Sequence, residues 1–350
     1  MKIRVVLADD SSFARRALAR VLSEAGDIQV VGFASNGEEA LALCSAQQPD
    51  VMLLDLSMPV LSGLGTLARL RALPHPPRVV VVSAGAQAGA EETLDALEQG
   101  AFDFVDKSSV PQMQIYDLGA ELLGKVRAAA QVGIRIQPLR RPSPSGRWGY
   151  GPPPVVVMGA STGGPLALRT LLSQLPADFP APLVVAQHIA ATYVPALAHR
   201  LAEACALPVQ LARWNAPLGH GIHVLPATAN SELRIREGKL ELTKKAPGQS
   251  LYVPTIDVLF ASAARACPGA WGVLLTGMGR DGAEGLLALR EGGGLTVAQD
   301  ARTCAVYGMP RAADELNAAS AVLPVHAIAS FLCEAVARSA SGVVGPQSPP

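Results

Sequence analysis

The 350-residue chain is long enough for two domains of ordinary size, and 49% of its residues are apolar, so two hydrophobic cores can be filled. Basic and acidic side chains balance at 29 each, which gives no broad electrostatic reason to expect a nucleic acid or an anionic membrane as partner. No segment has the uninterrupted apolar length of a membrane span, and the five scattered cysteines form no Cys-x-x-Cys pair. The composition therefore indicates a reduced, cytoplasmic setting and argues against a disulfide framework or a zinc site.

The first third of the chain alternates apolar runs with amphipathic stretches. Five strands are predicted, at Ile3–Ala8, Val30–Ala34, Val51–Leu54, Val79–Ser83 and Phe102–Val105. Helices are predicted after them, beginning near Ser12, Gly37, Gly63, Ala88 and Met113. Because the strands are rich in Val and Leu, they are expected to form a parallel sheet with helices on both faces. Ligands of such sheets bind at the carboxyl ends of the strands.

A segment rich in Pro, Arg and Ser, from about Gln137 to Pro154, indicates a solvated linker. A second α/β unit follows, with strands predicted at Val155–Met158, Leu183–Gln187, Val209–Ala212, Ile222–Leu225, Trp271–Thr276 and Leu295–Gln299. A hairpin is predicted from Leu233–Glu237 and Lys239–Thr243, and helices at Pro165–Leu175, Val194–Ala204, Thr255–Ala266, Gly282–Glu291 and Met309–Glu315. The domain boundaries predicted are 1–125, a linker at 126–152, 153–338, and a disordered tail at 339–350.

Polar side chains follow four of the five strands in the first unit. They are Asp9 and Asp10 after the first strand, Asp55 after the third, Ser83 at the end of the fourth and Lys107 after the fifth. Three carboxylates at one sheet edge repel one another unless a hard cation joins them, and oxygen ligands suit Mg²⁺. A single aspartate at a strand end is commonly a helix cap. Five such residues at one edge instead favour a site that stabilises a transferring phosphoryl group.

These residues resemble the receiver domain of bacterial response regulators over roughly residues 1–125. The matching segments are Asp9-Asp10-Ser11, Asp55-Leu56-Ser57-Met58-Pro59 with Gly63, Val82-Ser83-Ala84 and Phe104-Val105-Asp106-Lys107. The resemblance implies a flavodoxin-like (βα)5 fold, with Asp55 as phosphoacceptor and Mg²⁺ held by Asp9, Asp10 and Asp55. It also implies that Ser83, Phe104 and Lys107 form the switch that responds to phosphorylation. One departure is Ser108, where a proline usually follows the lysine.

A glycine-rich run, Gly159-Ala160-Ser161-Thr162-Gly163-Gly164-Pro165, follows the first strand of the second unit. The glycines permit a tight turn and Pro165 suits a first helical turn, so Ser161 is expected at the carboxyl end of a strand. The Gly-x-Ser-x-Gly spacing is that of a nucleophile elbow, and helix-start N–H groups can donate to a developing oxyanion. The main alternative, a phosphate-binding loop, requires a lysine that is not present here.

A serine nucleophile needs a base, and the base needs an orienting carboxylate. His188 follows the next apolar strand, which places it beside Ser161 if the two strands are neighbours. The remaining histidines are poorer candidates by position; they are His75, His199, His220, His223 and His326. Asp281, in another glycine-rich junction, could orient the imidazole, although a helix N-cap is an equal alternative for it in isolation. The chain order Ser…His…Asp does not imply the α/β-hydrolase fold.

Together these features resemble the catalytic domain of the chemotaxis protein-glutamate methylesterases, the CheB family, over roughly residues 153–335. The matching segments are Gly159–Gly164, Gln187-His188, Pro254–Phe260, Thr276–Ala283, Ala298-Gln299-Asp300 and Tyr307–Ala312. The resemblance implies a doubly wound α/β domain with a mostly parallel sheet and a small hairpin. It also implies Ser161 as nucleophile, His188 as general base and Asp281 as its orienting carboxylate, supported by Thr162 and the Met278 backbone. The runs 220–228 and 252–254 depart from the family pattern at the expected cleft rim.

The resemblance implies hydrolysis of glutamate γ-methyl esters on methyl-accepting chemotaxis receptors, deamidation of receptor glutamines, and control by phosphorylation of Asp55. Mg²⁺ is expected in the receiver domain and no cofactor in the ester hydrolysis. The expected partners are the receptors and a chemotaxis histidine kinase, and no nucleic acid is expected. The protein is expected to be a monomer that acts at the membrane receptors without being inserted in the membrane. Two alternatives stay open: a phosphorylation-controlled binding module with an inactive serine centre, and a receiver-coupled hydrolase of a small ester or amide.

Overall fold

The computed structural model describes residues 2–83, 87–107, 119–131, 153–246 and 253–340. The chain divides into two compact units, Met1–Arg135 and Ile136–Pro350. Within the described residues, no helix combines the length and the apolar character needed to cross a bilayer. All five cysteines are free thiols, as the composition predicts.

The first unit is a parallel sheet with helices packed against it. Its described strands are β1 (Ile3–Ala8), β2 (Ile28–Ala34), β3 (Val51–Leu54), β4 (Arg78–Ser83) and β5 (Asp103–Asp106). Its described helices are α1 (Ser12–Ser23), α2 (Gly37–Gln47), α3 (Gly63–Leu70), α4 (Gln87–Glu98) and α5 (Gly119–Gln131). The strands lie in the order β2-β1-β3-β4-β5, and each neighbouring pair is parallel. This is the flavodoxin-like order, so the fold predicted for this unit is confirmed.

Helices in the first unit start close to the strand ends because polar N-caps define their first turns. The N-caps of α1, α2 and α3 are Ser11, Asn36 and Ser62, and each side chain accepts a hydrogen bond from the N–H three positions later. The donor–acceptor distances are 3.3, 3.0 and 3.2 Å, and each bond satisfies a helix-start N–H that has no partner within the helix. The loops after β1 and β3 are thereby held at one edge of the sheet.

Helix α5 differs from the sequence expectation at its end. It continues to Gln131, so the predicted start of the linker at residue 126 lies inside a helix. Leu122, Val126 and Ala129 are buried along one face, which gives the last two turns a tertiary reason to persist. The predicted helix start near Met113 falls outside the described residues.

The second unit is built on a larger parallel sheet. Its described strands are β6 (Val156–Ala160), β7 (Leu183–Gln187), β8 (Val209–Leu211), β9 (Ile222–Val224), β10 (Asn230–Arg236), β11 (Lys239–Lys245), β12 (Trp271–Leu274), β13 (Thr296–Gln299) and β14 (Ala321–Leu323). Its described helices are α6 (Gly164–Leu172), α7 (Val194–Ala204), α8 (Ile256–Ala266), α9 (Ala283–Glu291), α10 (Met309–Glu315) and α11 (Val325–Ala340). Strands β10 and β11 pair with each other as the predicted antiparallel hairpin.

The order of the strands places β6 at the centre of the second unit. Among the described residues the sheet runs β14-β13-β12-β6-β7-β9-β8, with every neighbouring pair parallel. From β6 the chain first builds outward through β7, and later returns to the other side of β6 with β12. The carboxyl end of β6 is therefore the topological switch point, where open parallel sheets bind their ligands.

The sequence prediction omits two elements at the end of the second unit. Strand β14 has only three residues, too few to show a pattern. Helix α11 carries buried residues at Ile328, Ala329, Leu332 and Ala335, which is the spacing of one helical face and could have been recognised. The predicted tail begins at residue 339, within the last turn of this helix.

Candidate active site

Ser161 lies directly after β6, in the turn that leads into α6. Its backbone N–H donates to the carbonyl oxygen of Thr276 at 3.0 Å, which ties the turn to the loop after β12. Gly163 is the N-cap of α6 and has φ +75°, a left-handed conformation that disfavours other residues. Only 8% of Ser161 is exposed. The predicted strand–turn–helix junction is present, and it holds the serine at the switch point of the sheet.

His188 lies at the end of the neighbouring strand β7, next to the serine turn. Its backbone N–H donates to the Ala160 carbonyl oxygen at 2.9 Å. The buried side-chain amide of Gln187 donates through Nε2 to the carbonyl oxygens of Ser161, at 2.9 Å, and of His188, at 3.0 Å. One amide group therefore holds the backbone of both Ser161 and His188. The pairing of β6 with β7 confirms the expectation that the two strands are neighbours.

Asp281, from the loop between β12 and α9, contacts the imidazole of His188. His188 Nε2 lies 2.8 Å from Asp281 Oδ2. The same carboxylate accepts two backbone hydrogen bonds from the first turn of α8: Ile256 N–H at 2.8 Å on Oδ2 and Asp257 N–H at 2.9 Å on Oδ1. The carboxylate is thus fixed by three donors, and its position relative to the imidazole is closely defined.

The protonation of Asp281 is set by a balance between burial and these donors. Burial acts to raise the pKa of the carboxyl, but the hydrogen bond and charge of His188 and the backbone donors of α8 outweigh it. The pKa of Asp281 is consequently below its ordinary value. An ionised carboxylate in this place can hold the imidazole in one orientation and stabilise its protonated form.

Buried polar side chains brace the loops around Ser161. Thr276 Oγ1 donates to the carbonyl oxygen of Thr162 at 2.9 Å. Gln299 Oε1 accepts from the backbone N–H of Thr276 at 2.8 Å. Thr162 is buried, and the half-buried Met278 follows in the loop beyond Thr276. Thr162 and Met278, the two residues expected to support the serine centre, therefore lie in segments that are hydrogen-bonded to one another around the turn that contains Ser161.

The carboxylates predicted in the first unit also meet. Oxygen atoms of Asp9, Asp10 and Asp55 lie within 4.8 Å of one another. Lys107 Nζ donates to Asp9 at 2.6 Å and to Asp55 at 2.9 Å. Carboxylate oxygens at this spacing suit Mg²⁺, a small cation that takes oxygen ligands. The donor set therefore fits the cation that the sequence predicts.

Burial and the lysine act in opposite directions on Asp55. Burial raises the pKa of the Asp55 carboxyl, and the charge and hydrogen bond of Lys107 oppose this without cancelling it. The pKa of Lys107 is raised because its attraction to the Asp55 and Asp9 carboxylates outweighs the effect of its own burial. Lys107 is therefore a firmly charged cation beside Asp55.

The two remaining switch candidates lie on the adjacent strands. Ser83 ends β4 and Phe104 lies in β5, and both are buried. Lys125, in α5, donates to the Phe104 carbonyl oxygen and places its ammonium 5.3 Å from the centre of the ring. Phe104 is thus buried next to the ammonium group of Lys125, in the last described helix of this unit.

Comparison with known proteins connects both units to characterised families. The sequence model described as CheB methylesterase matches residues 156–332. The model described as response regulator receiver domain matches residues 5–116. The chain belongs to the CheB methylesterase family. The family resemblance drawn from the motifs is therefore confirmed, and so is the α/β fold of both units.

CheB relatives match almost the whole chain. It is 42% identical over 343 residues to protein-glutamate methylesterase/protein-glutamine glutaminase 5 of Myxococcus xanthus, covering 94% of this chain and 97% of the relative. It is 41% identical to the protein of the same type from Symbiobacterium thermophilum, covering 95% and 97%. The crystal structure of the CheB methylesterase catalytic domain of Thermotoga maritima aligns with a TM-score of 0.51 and 34% identity, covering 53% of this chain and 99% of that domain.

Several residues that shape the serine centre were not assigned roles from the sequence. They are Gln187, Asn230, Asp257, Thr276 and Gln299. Gln187 and Gln299 end buried strands, and Thr276 follows one. Their position at the carboxyl edge of the sheet is the sequence signal that could have identified them. Asn230 and Asp257 give no such signal, because their contacts depend on where α8 lies. Asn230 Oδ1 accepts from the Thr255 N–H, at the start of α8, at 2.7 Å.

Proposed function

We propose that this CheB-family protein is a phosphorylation-activated serine hydrolase that removes γ-methyl esters from glutamates of methyl-accepting chemoreceptors. The observation that carries this proposal is the placement of Ser161, His188 and Asp281 beyond the carboxyl ends of three adjacent strands, with His188 hydrogen-bonded to Asp281. A nucleophile, a base and an orienting carboxylate at a switch point are the parts that acyl transfer requires. The names of the relatives supply the substrate class.

The reaction begins with attack of Ser161 Oγ on the γ-carbonyl carbon of a methylglutamyl side chain. His188 takes the serine proton and passes it to the departing methoxide, so methanol leaves and an acyl-enzyme remains. Because Nε2 of His188 faces Asp281, this proton transfer uses Nδ1. Water, deprotonated by His188, then attacks the acyl carbon; the glutamate is released and the proton returns to Ser161.

Backbone donors around the serine turn stabilise the oxyanion of the tetrahedral intermediate. The first turn of α6 follows Ser161 directly, and its N–H groups carry the positive end of the helix dipole. Thr162 and the Met278 backbone are assigned to this support. A glutamine side chain differs from the methyl ester only in its leaving group, so the same centre releases ammonia from receptor glutamines.

The serine assignment is tested by Ser161→Ala. We expect this variant to lose methanol release from a receptor fragment carrying glutamate γ-methyl esters, while its melting temperature stays close to that of the wild type. Ser173→Ala is the matched control, since Ser173 lies exposed at the other end of α6. Unaltered turnover of Ser161→Ala would refute the assignment. A reactive phosphonate that fails to label the wild-type serine would instead favour a binding module with an inactive centre.

The receiver unit is proposed to control this chemistry through phosphorylation of Asp55 by a chemotaxis histidine kinase. Asp9, Asp10 and Asp55 would hold Mg²⁺, which supplies charge stabilisation during phosphoryl transfer. Lys107 offsets part of the negative charge of Asp9 and Asp55 and is proposed to bind the arriving phosphoryl group. Ser83 and Phe104 are proposed as the residues that change position when Asp55 is modified. The substrate receptors are membrane proteins, and this enzyme acts on their cytoplasmic portion as a monomer.

A further inference from the structure

The helices α8 and α9 each lack a capping side chain of their own. The N-cap of α8 is Thr255, whose side chain forms no capping hydrogen bond, and the N-cap of α9 is Gly282, which has no side chain. Helix-start N–H groups in a half-buried position need acceptors. Each helix therefore depends on a group from outside its own sequence.

Each helix receives its acceptor from the other helix or its leading loop. Asp281, which precedes α9, accepts from the first two N–H groups of α8, those of Ile256 and Asp257. Asp257, in the first turn of α8, accepts from the Gly285 N–H of α9 at 2.7 Å. The capping is reciprocal, and the two carboxylates at its centre are Asp257 and Asp281.

The packing of the two helices leaves little freedom at this junction. A Cβ atom at Gly285 would lie 2.6 Å from Phe260 Cβ and 3.1 Å from the Asp257 α-carbon. A Cβ atom at Gly282 would lie 2.6 Å from Ile256 Cγ2. The two approaches of 2.6 Å are closer than real Cβ atoms allow, so glycines at positions 282 and 285 let the starts of α8 and α9 meet. A shift of one helix start must move the other.

We propose that Asp257 is a positioning residue of the serine centre: it holds the start of α9 against the start of α8 and thereby fixes Asp281 on His188. This inference rests on the proposed function, because it assigns Asp281 to orienting the base. Asp257 acts through Asp281 in two ways. Its N–H binds Asp281 Oδ1 directly, and its carboxylate binds the Gly285 N–H, in the segment that follows Asp281.

Asp257 also places a second acidic group beside the His188–Asp281 pair. Burial, followed by the charge of Asp281, raises the pKa of Asp257 to about 6, although the Gly285 and Gly282 N–H groups oppose the shift. Among titratable groups, Asp281 has the strongest charge effect on Asp257, and Asp281 is itself hydrogen-bonded to His188.

The test compares Asp257→Ala and Asp257→Asn in the full-length protein, by methanol release from a receptor fragment carrying glutamate γ-methyl esters. We expect Asp257→Ala to lower kcat by about 10-fold or more with KM nearly unchanged, because misplacement of a catalytic group acts on the chemical step. Asp257→Asn keeps an oxygen that accepts from Gly285, so it should recover most of kcat.

Ser262→Ala is the matched control for stability. Ser262 lies in the same helix, and its Oγ accepts from the Leu233 N–H at 2.9 Å, well along α8 from Asp281. We expect this variant to melt at a lower temperature with unchanged kcat. If Asp257→Ala does not fold, the kcat of Asp257→Asn relative to that of the wild type still decides.

The outcomes separate the two proposals. Wild-type kcat in folded Asp257→Ala, or failure of Asp257→Asn to recover kcat, would overturn the role given to Asp257. Absence of Ser161-dependent turnover in the wild type would instead refute the proposed function itself. A lower melting temperature alone, with unchanged kinetics, would show that Asp257 only caps a helix.

Discussion

The backbone of Gly164 lies against the side-chain amide of Gln187 so closely that a methyl group at position 164 would overlap Gln187 Oε1. The same amide donates through Nε2 to the carbonyl oxygens of Ser161 and His188. A glycine in the first turn of α6 is therefore coupled, through one buried amide, to the backbone of Ser161 and His188.

Gly164→Ala is expected to lower kcat by about 10- to 100-fold, because displacement of Gln187 moves the backbone of both catalytic residues. Steady-state methanol release, with circular dichroism to establish folding, measures the effect. Gly119→Ala is a suitable control, since its added Cβ would meet Val21 Cγ1 at an ordinary 3.5 Å. Equal kcat in Gly164→Ala and the wild type would show that Gln187 does not position the centre.

Asp281→Asn is expected to lower kcat by about 1,000-fold or more, because an amide does not stabilise the imidazolium and can favour the wrong imidazole tautomer. The loss should appear in kcat rather than in substrate binding. Glu284→Gln changes an exposed carboxylate three residues further on and should leave the kinetics unaltered. A loss of less than about 10-fold for Asp281→Asn would remove Asp281 from the role proposed for it.

Phosphorylation is expected at Asp55 alone, and Asp55→Asn should abolish both phosphoryl incorporation from a small-molecule phosphodonor and the rise in methanol release that accompanies it. Chelation of Mg²⁺ should have the same effect on the wild type, since Asp9 and Asp10 then lack the cation that joins them to Asp55. Asp50→Asn provides the control, because Asp50 precedes β3 at the opposite edge of the sheet. Continued labelling of Asp55→Asn would place the phosphoacceptor elsewhere.

Removal of residues 1–140 is expected to raise methanol release above that of the unphosphorylated full-length protein if the receiver unit restrains the catalytic unit. The solved Thermotoga maritima catalytic domain corresponds to this fragment and supports its independent folding. Full-length Asp55→Asn serves as the reference that cannot be activated. A well-folded fragment that is equally slow or slower would argue against restraint as the means of control.

Asp257 should also leave a signature in the dependence of stability on pH. Its pKa is about 6 in the folded protein against an ordinary 3.8, so between these values the folded protein holds a proton that the unfolded chain has lost. The stabilising contribution of Asp257 to the folded protein is therefore present in full below about pH 4, and it is lost as the pH rises through about 6. The melting temperature of Asp257→Asn minus that of the wild type should increase from pH 4 to pH 7. A difference that is constant or decreases would contradict the raised pKa.

The chemistry-bearing residues were accessible from sequence because their signals are local. Ser161 stands in a glycine-rich run after an apolar strand, and Asp55 follows another such strand. A parallel sheet brings all carboxyl ends to one edge, so strand position alone predicts which side chains share a site. Strand position likewise favours His188 over the other histidines, because His188 follows a strand of this sheet.

The contacts that position these residues were decided by tertiary structure. Asp257 sits in the first turn of an amphipathic helix, and its sequence neighbourhood does not reveal that its carboxylate caps α9 or that its N–H binds Asp281. Those bonds exist because the start of α9 packs against α8 at Gly282 and Gly285, and because β12 lies next to β6 in the sheet. The sequence by itself determined which residues are proposed as nucleophile, base and phosphoacceptor, since turn and strand signals are short-range. Only the packing of distant segments decided how Ser161 and His188 are held, since hydrogen bonds between separate elements depend on the whole arrangement of the sheet.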